Sequence, residues 1–323
     1  MHVVEGEGHH AARELIAVLM RWYKNSDGNF IEQFQSTGFD ARIWELYLWA
    51  TFVSLGYEVT MPKPSPDFVA RGLGGEFAIE ATTLNPTIKH GEVIEPPRPE
   101  KVEDLQAYGE HYLPIRYAGA LITKLNKRYW DQPDAMGKPL IIAVQDFHDE
   151  MSMRFSQGGL IAYLYGISIF DNDPDTGKPA LITEHAWGTK VVPSGFFTLP
   201  DSEHISAVIF NSQGTLAKFN RIAIKCGFDP RAAQLIHIGR RLDFTGDAPT
   251  QVPFTAAVTI DYPEDWVDGM DVFHNPNASI PLNPDLIPGA AHHIQTPGGN
   301  MRELYPEEHL LTSTTRIIIS TGG

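Results

Sequence analysis

One cysteine in 323 residues, Cys226, excludes an internal disulfide framework and any cysteine-based zinc site, and it fits a reducing compartment. Cys226 itself reads as a small buried hydrophobe. Long apolar runs are missing as well. No window approaches the roughly eighteen uninterrupted apolar residues of a membrane span. Met1 to His10 is polar and acidic where a secretory leader needs a basic start and an apolar stretch, so the expected location is the cytoplasm, with no membrane partner. Positive charge is also scarce: 25 Lys and Arg stand against 40 Asp and Glu, for a net charge of -15. Such a balance argues against broad adhesion to nucleic acid or anionic membrane, because phosphate binding needs clustered cations.

What is present suffices for a full core: 42% apolar residues over this length support one large domain or two ordinary ones. Ala11, Leu15, Val18, Leu19 and Trp22 fall at helical spacing over His10 to Lys24, and Asn25-Ser26-Asp27-Gly28 reads as the stop. Asp40 to Leu55 is apolar around most of its circumference, which predicts a buried helix ending at Gly56. Short β-rich runs follow at Tyr57 to Met61, Asp67 to Arg71 and Glu76 to Leu84, punctuated by prolines and by Gly72-Leu73-Gly74-Gly75. Residues 86 to 114, rich in Pro and Glu, read as a long irregular connection. A helix is expected from about Arg116 to Trp130. Leu140 to Val144 then reads as a strand buried on both faces. Beyond residue 170 the pattern loosens, with strands expected at Ile205 to Phe210 and Thr255 to Ile260. The expected fold class is α/β, divided into an N-terminal helix (1–35), a core (36–170) and a β-rich C-terminal extension or second domain (171–323) that could share the same sheet.

The hairpin carries chemistry. If Gly72 to Gly75 form the loop, Arg71 faces Glu76, Val69 faces Ala78 and Asp67 faces Glu80. Phe68, Ala70, Phe77, Ile79 and Ala81 then share the opposite, apolar face, so alternation supports this register independently of the acids. Two carboxylates side by side in a partly buried setting repel, and a divalent cation between them resolves the conflict. The other reading is an edge hairpin with two solvated acids. Glu45 is the sole charge within Ile43 to Ala50, and a lone Glu on an apolar helix is costly without a partner. That partner is Arg42 or an Arg elsewhere in the chain, or else the Asp67 and Glu80 pair.

This order of elements, a helix with Glu45, a strand, a strand opening on Pro66-Asp67, a strand ending Glu80-Ala81-Thr82, then a helix and a buried strand, resembles the PD-(D/E)XK superfamily of restriction-endonuclease-like nucleases. The resemblance covers roughly residues 40 to 147. It implies a three-layer core with a mixed central sheet flanked by helices. It further implies that Asp67 and Glu80 bind Mg²⁺ or Mn²⁺, that the carbonyl of Ala81 completes the site, and that Glu45 assists. The family's lysine, two residues after the second acid, is replaced here by Thr82; members of the family move that lysine to a neighbouring element, and Lys124 is the candidate, with Lys127 second. The implied activity is metal-dependent cleavage of nucleic acid, DNA in particular, in a bacterial defence setting. The competing expectations are a nuclease-fold scaffold or binding subunit that no longer cuts, which Thr82 and the acidic charge favour, and a hydrolase of small phosphoesters.

Other polar clusters read more plainly. Asp146, His148 and Asp149 follow the buried strand and read as a solvated strand end. Asn211 to Thr215, followed by Lys218, Asn220 and Arg221, could form an anion site at a helix start, with ordinary capping the simpler reading. His274-Asn275-Pro276-Asn277 and His292-His293 read as structural loop clusters without zincin spacing, and no Gly-x-Ser-x-Gly elbow is present.

Overall fold

The computed structural model describes residues 6–23, 38–149, 152–246 and 248–320. Helix α1 (His10–Trp22) turns Ala11, Ala12, Leu15 and Ile16 inward. Its expected stop at Asn25 to Gly28 lies outside the described residues. Helix α2 (Phe39–Ser54) is buried along most of its length, as a circumference that is apolar for the most part requires.

Eight strands lie side by side in chain order: β1 (Glu58–Thr60), β2 (Phe68–Gly72), β3 (Gly75–Leu84), β4 (Leu140–Asp146), β5 (Ala207–Phe210), β6 (Asp271–His274), β7 (Ala291–Gln295) and β8 (Met301–Leu304). The first three form an antiparallel meander, and β4 runs parallel to β3 and to β5. Strand β6 is antiparallel to β5 and parallel to β7, and β8 closes the row antiparallel to β7. The protein is therefore α/β around one mixed sheet, and strands from beyond residue 171 extend it.

Alternation divides the core between the two faces of the sheet. Phe68, Ala70, Phe77, Ile79 and Ala81 pack with Trp44, Leu48 and Phe52 of α2. Val69, Ala78, Ile142 and Val144 point the other way, toward α3 (Leu113–Leu125) and α4 (Ser152–Tyr165) through Tyr117, Leu121, Leu160 and Tyr163. A three-stranded sheet, with Ala233–Asp243 between Thr250–Ala257 and Glu308–Ile319, packs with α1 and α5 (Leu216–Lys225) around Leu15, Ile222 and Leu235. Among the described residues no helix is long and apolar enough to cross a membrane.

Several expectations fail for physical reasons. Residues 86 to 114 are not an irregular connection: they hold a hairpin (Thr87–Lys89 with Glu92–Ile94), a helix (Val102–Ala107) and a π-helical turn (Tyr108–Tyr112) that runs into α3. Buried Tyr108 and Glu110 anchor this segment against charge-rich flanks that mask its periodicity. Helix α3 starts earlier and ends sooner than Arg116 to Trp130. The strand expected at Thr255 to Ile260 is shifted to Thr250–Ala257. Cys226 is exposed, because it caps the C-terminus of α5 just before Gly227 turns the chain away. His274, His292 and His293 sit not in loops but in β6 and β7, buried.

His274 and His292 pair with each other, Nε2 to Nδ1 at 2.9 Å, whereas His293 is tied to an acid. Asp271 Oδ1 accepts from His293 Nε2 at 2.9 Å and from Gln157 Nε2 at 2.9 Å, with His309 Nε2 at 3.4 Å. Burial opposes charge on Asp271, yet His309 and His293 outweigh it and bring its pKa down to about 2. Burial likewise opposes charge on His293, and hydrogen bonds to Asp271 and Glu303 reverse that, raising it to about 9. A raised histidine stabilises the fold fully below its unfolded pKa of 6.5, and the benefit is lost as pH climbs through about 9. The lowered aspartate contributes above 3.8 and is lost as pH falls through about 2. In denaturant titrations, the stability difference between the parent and His293→Gln should therefore be largest between pH 4 and 6.5. It should shrink by on the order of 2–3 kcal/mol by pH 9.5; a pH-independent difference contradicts the charged pair.

Candidate functional site

The hairpin's register runs Arg71 opposite Glu76, Val69 opposite Ala78 and Phe68 opposite Ile79. One step further sets Asp67 opposite Glu80, and Pro66 opposite Ala81. The ladder stops at Phe68, and the side chains take over: the Asp67 N–H donates to Glu80 Oε2 at 3.2 Å, and the Ala81 N–H donates to Asp67 Oδ2 at 2.8 Å. Each acid is thus pinned by the backbone of the other strand. Pro66 has no N–H, so the Ala81 carbonyl, on the same side of β3 as its amide, meets no ladder donor there.

Glu80 is buried on the α3 side of the sheet. Lys124, in the last turn of α3, reaches it with Nζ 2.6 Å from Oε1. Lys127 lies past the helix end and is not paired with Glu80; its ammonium sits 5.9 Å from the centre of the Tyr129 ring. Tyr129 is a residue that sequence reasoning missed. It opens a short 3-10 turn entered through Arg128 at φ +50°, and it lies against Glu80 with the Lys124 ammonium 5.8 Å from its ring centre. Burial and the Glu80 charge push its hydroxyl pKa up, so it stays protonated. No periodicity marks this position; an aromatic pair, Tyr129-Trp130, just beyond a helix was the available signal.

Glu45 approaches from the other face. Arg42, one turn earlier, donates to its Oε2, and the Tyr23 hydroxyl donates to the same oxygen at 3.3 Å. Burial raises its pKa, and Arg42 offsets part of that rise. Its charge reaches Asp67, but Glu45 flanks the pair rather than entering it. Among the described residues, the trio of carboxylate and imidazole groups with ligand atoms mutually within 4.8 Å is Asp201, Glu203 and His204. That trio sits toward the surface, with Asp201 engaged by Arg128 at 3.1 Å.

Asp67 is the strained member. Burial first, then the charges of Glu80 and Glu45, raise its pKa to about 7, against partial relief from the Ala81 N–H and Lys124. Two acids fixed side by side, a carbonyl without a ladder donor and a carboxyl that holds its proton to near neutrality form a donor set suited to a hard divalent cation such as Mg²⁺ or Mn²⁺. Beside this group opens a cleft of about 350 Å³ whose lining includes Thr82, Thr83, Asn85, Arg116, Lys124 and Lys190. A larger cavity of about 640 Å³ lies away from the carboxylates, lined by Asp261, Glu264, Asp265, Glu307 and Glu308, a composition hostile to phosphate.

The remaining candidates are built into the fold. Asp146 and His148 are not solvated: both are buried, His148 donates its backbone N–H to Asp146 Oδ1 at 3.1 Å, and the Tyr117 hydroxyl donates to Oδ2 at 3.3 Å. Tyr108 donates to Asp149 Oδ2 at 3.4 Å. The polar side chains near Asn211 do not form an open anion site; they are taken up by the chain itself. Arg221 forks onto Glu264 at 2.6 and 2.7 Å, Lys218 donates to the Asp268 carbonyl at 2.7 Å, and Asn220 donates to the Gly8 carbonyl at 2.7 Å. No family model, curated protein or solved structure matches this chain, so function rests on the site itself.

The raised pKa of Asp67 makes a stability statement with a definite sign. Relative to a neutral side chain the ionisable acid costs nothing below 3.8, progressively more as pH rises, and the full amount above about 7. Asp67→Asn in EDTA should therefore melt at higher temperature than the parent at pH 8, by a margin equivalent to on the order of 2–4 kcal/mol, and the margin should close toward pH 4. A variant less stable than the parent at pH 8 contradicts the repulsion.

Proposed function

We propose that this chain is a divalent-metal-dependent phosphodiesterase acting on nucleic acid, with Asp67, Glu80 and the Ala81 carbonyl holding Mg²⁺ or Mn²⁺ and Lys124 as the cationic side chain of the site. The observation that carries the reading is the 2.6 Å pair between Lys124 and Glu80. The restriction-endonuclease-like resemblance calls for a lysine beside the second acid, and the sequence offers Thr82 there. A lysine from α3 arrives at that same carboxylate. The order of elements, α2, the β1–β3 meander, α3 and a parallel β4, is also the one the resemblance implies.

Bound at these acids, the cation supplies Lewis-acid polarisation of a phosphate and cancels their mutual repulsion. The chain's own residues do the rest. The crosswise backbone bonds hold Asp67 and Glu80 in fixed orientation, so no reorganisation is needed when a ligand arrives. Lys124 keeps a positive charge within reach of Glu80, where it offsets the negative charge that builds on phosphate oxygens during attack. Glu45, held by Arg42 and Tyr23, adds negative potential at Asp67 and strengthens cation retention.

A second reading, a nuclease-fold subunit that binds without cutting, is favoured by the net charge of -15. Plasmid, single-stranded DNA and RNA incubated with Mg²⁺ or Mn²⁺ should be cleaved, with Asp67→Ala and Glu80→Ala each reducing the rate by at least about 10²-fold. Lys124→Ala should lower kcat far more than it raises KM. Calorimetric Mn²⁺ binding should disappear in Glu80→Gln. Cleavage that survives both carboxylate replacements sinks the assignment, and the absence of Mn²⁺ binding by the parent favours the subunit that does not cut.

A further inference from the structure

The cleft beside Glu80 has a charge unlike the rest of the chain. Its charged lining residues are Arg116, Lys124 and Lys190, with no carboxylate among them, in a protein of net charge -15. Arg116, Ala120 and Lys124 recur at four-residue spacing and so share one stripe of α3. From Arg116 to Lys124 the stripe spans about 12 Å, eight residues at a rise of roughly 1.5 Å each. The advance of about 3.4 Å per nucleotide of a duplex strand is measured along the helix axis, and neighbouring phosphates along a gripped strand lie about twice that far apart, so the stripe matches roughly two phosphate-to-phosphate steps, or three phosphates.

Arg116 is fixed without being neutralised. Its guanidinium donates to the Thr87 hydroxyl and to the Asn85 carbonyl, both uncharged groups. A cation held in place by neutral acceptors keeps its full charge for an anion and loses little side-chain freedom on binding it. Lys190 is exposed on the strand Lys190–Pro193, which borders the same cleft. Thr82 and Thr83 add neutral hydroxyl donors along β3. The floor is low, because Gly119 and Ala120 carry the smallest side chains available, and a Cβ placed on Gly119 would meet no heavy atom within 4 Å.

We propose that this cleft is a phosphate track that grips one strand of a nucleic acid over about three nucleotides, with Lys124 at the reacting end and Arg116 and Lys190 on phosphates further along. The inference rests on the phosphodiesterase reading for its direction, and it deepens that reading by excluding small phosphoesters as the substrate class. The net acidity of the chain then acts as a filter. Polyanions are repelled everywhere except where the cleft focuses positive potential.

Fluorescence anisotropy in EDTA, with labelled oligothymidylates of two, four and eight nucleotides and with labelled thymidine monophosphate, tests the track without requiring cleavage. Affinity should climb steeply between two and four nucleotides and then level off. In EDTA Lys124 stays paired with Glu80, so the slope of log K against log salt should be near about -1.4 for Arg116 and Lys190 on a single strand, at roughly 0.7 per cation, and Arg116→Ala should flatten it by about 0.7. Gly119→Glu, which the open space around Gly119 tolerates, should weaken binding of the eight-nucleotide strand by at least about tenfold, whereas Gly119→Ala should bind as the parent does. Equal affinity for the monophosphate and the longer strands overturns the proposal, as does a folded Gly119→Glu protein that binds normally. The two readings fail separately. Binding that Gly119→Glu abolishes, in a protein that cleaves nothing, keeps the track and removes the enzyme. Cleavage that needs Glu80 but ignores Gly119→Glu keeps the enzyme and removes the track.

Discussion

The ion pair between Lys124 and Glu80 is the contact on which the arrangement of the site turns. Glu80 sits on a central strand, inside a sheet covered on both sides, where an isolated charge would be far more expensive than on the surface. It is affordable because α3 delivers a cation to it, and α3 can do so because Leu113, Tyr117, Leu121 and Leu125 lock one stripe of the helix into the core. The adjoining stripe, Arg116, Ala120 and Lys124, is left facing the end of β3. The π-helical turn before α3, anchored by buried Tyr108 and Glu110, fixes where the helix begins and hence which stripe faces where.

Legibility in the sequence followed from how many independent constraints acted on each residue. The register of Asp67 and Glu80 could be read because an apolar face and a glycine turn both demanded it, and the strand pairing runs as that pattern requires. Glu45 stood out as the one charge within Ile43 to Ala50, but the sequence left its partner open, and Arg42 holds it. The C-terminal strands were opaque for the opposite reason. Strands β5, β6 and β7 are short and buried on both faces, so they show no alternation, and the histidines in β6 and β7 imitate loop polarity. Partners that only the fold brings together explain why those imidazoles are tolerated inside: Asp271 for His293, and His274 and His292 for each other. For Cys226, the tendency of cysteine toward burial was overruled by its place at a helix end beside a glycine of positive φ.

Net charge proved a poor guide to local chemistry. The acids gather around the larger cavity, where Asp261, Asp265, Glu307 and Glu308 line the wall, while the cleft beside the site carries cations alone. Screening over about 8–10 Å at physiological salt means that each region presents its own sign to a ligand that has arrived. A global deficit of positive charge therefore limits how many surfaces can hold a polyanion; it does not decide whether one can.

Two acid centres of the molecule make an instructive contrast. At Glu264, burial would raise the pKa, but the forked Arg221 and the neighbouring Lys218 overcome it and bring the acid to about 2. Every charge there has a partner, and the cluster ties α5 to the chain around Glu264. At Asp67 the cost of desolvation is joined by two further negative charges, Glu80 and Glu45, with only partial relief, so the acid is left near 7. A fold that can satisfy buried carboxylates completely in one place, yet leaves one uncompensated in another, carries that cost at the second place for a reason other than stability. The uncompensated acid lies beside a basic cleft and a carbonyl freed by a proline, which is where an external cation and an anionic ligand would each find what the chain withholds.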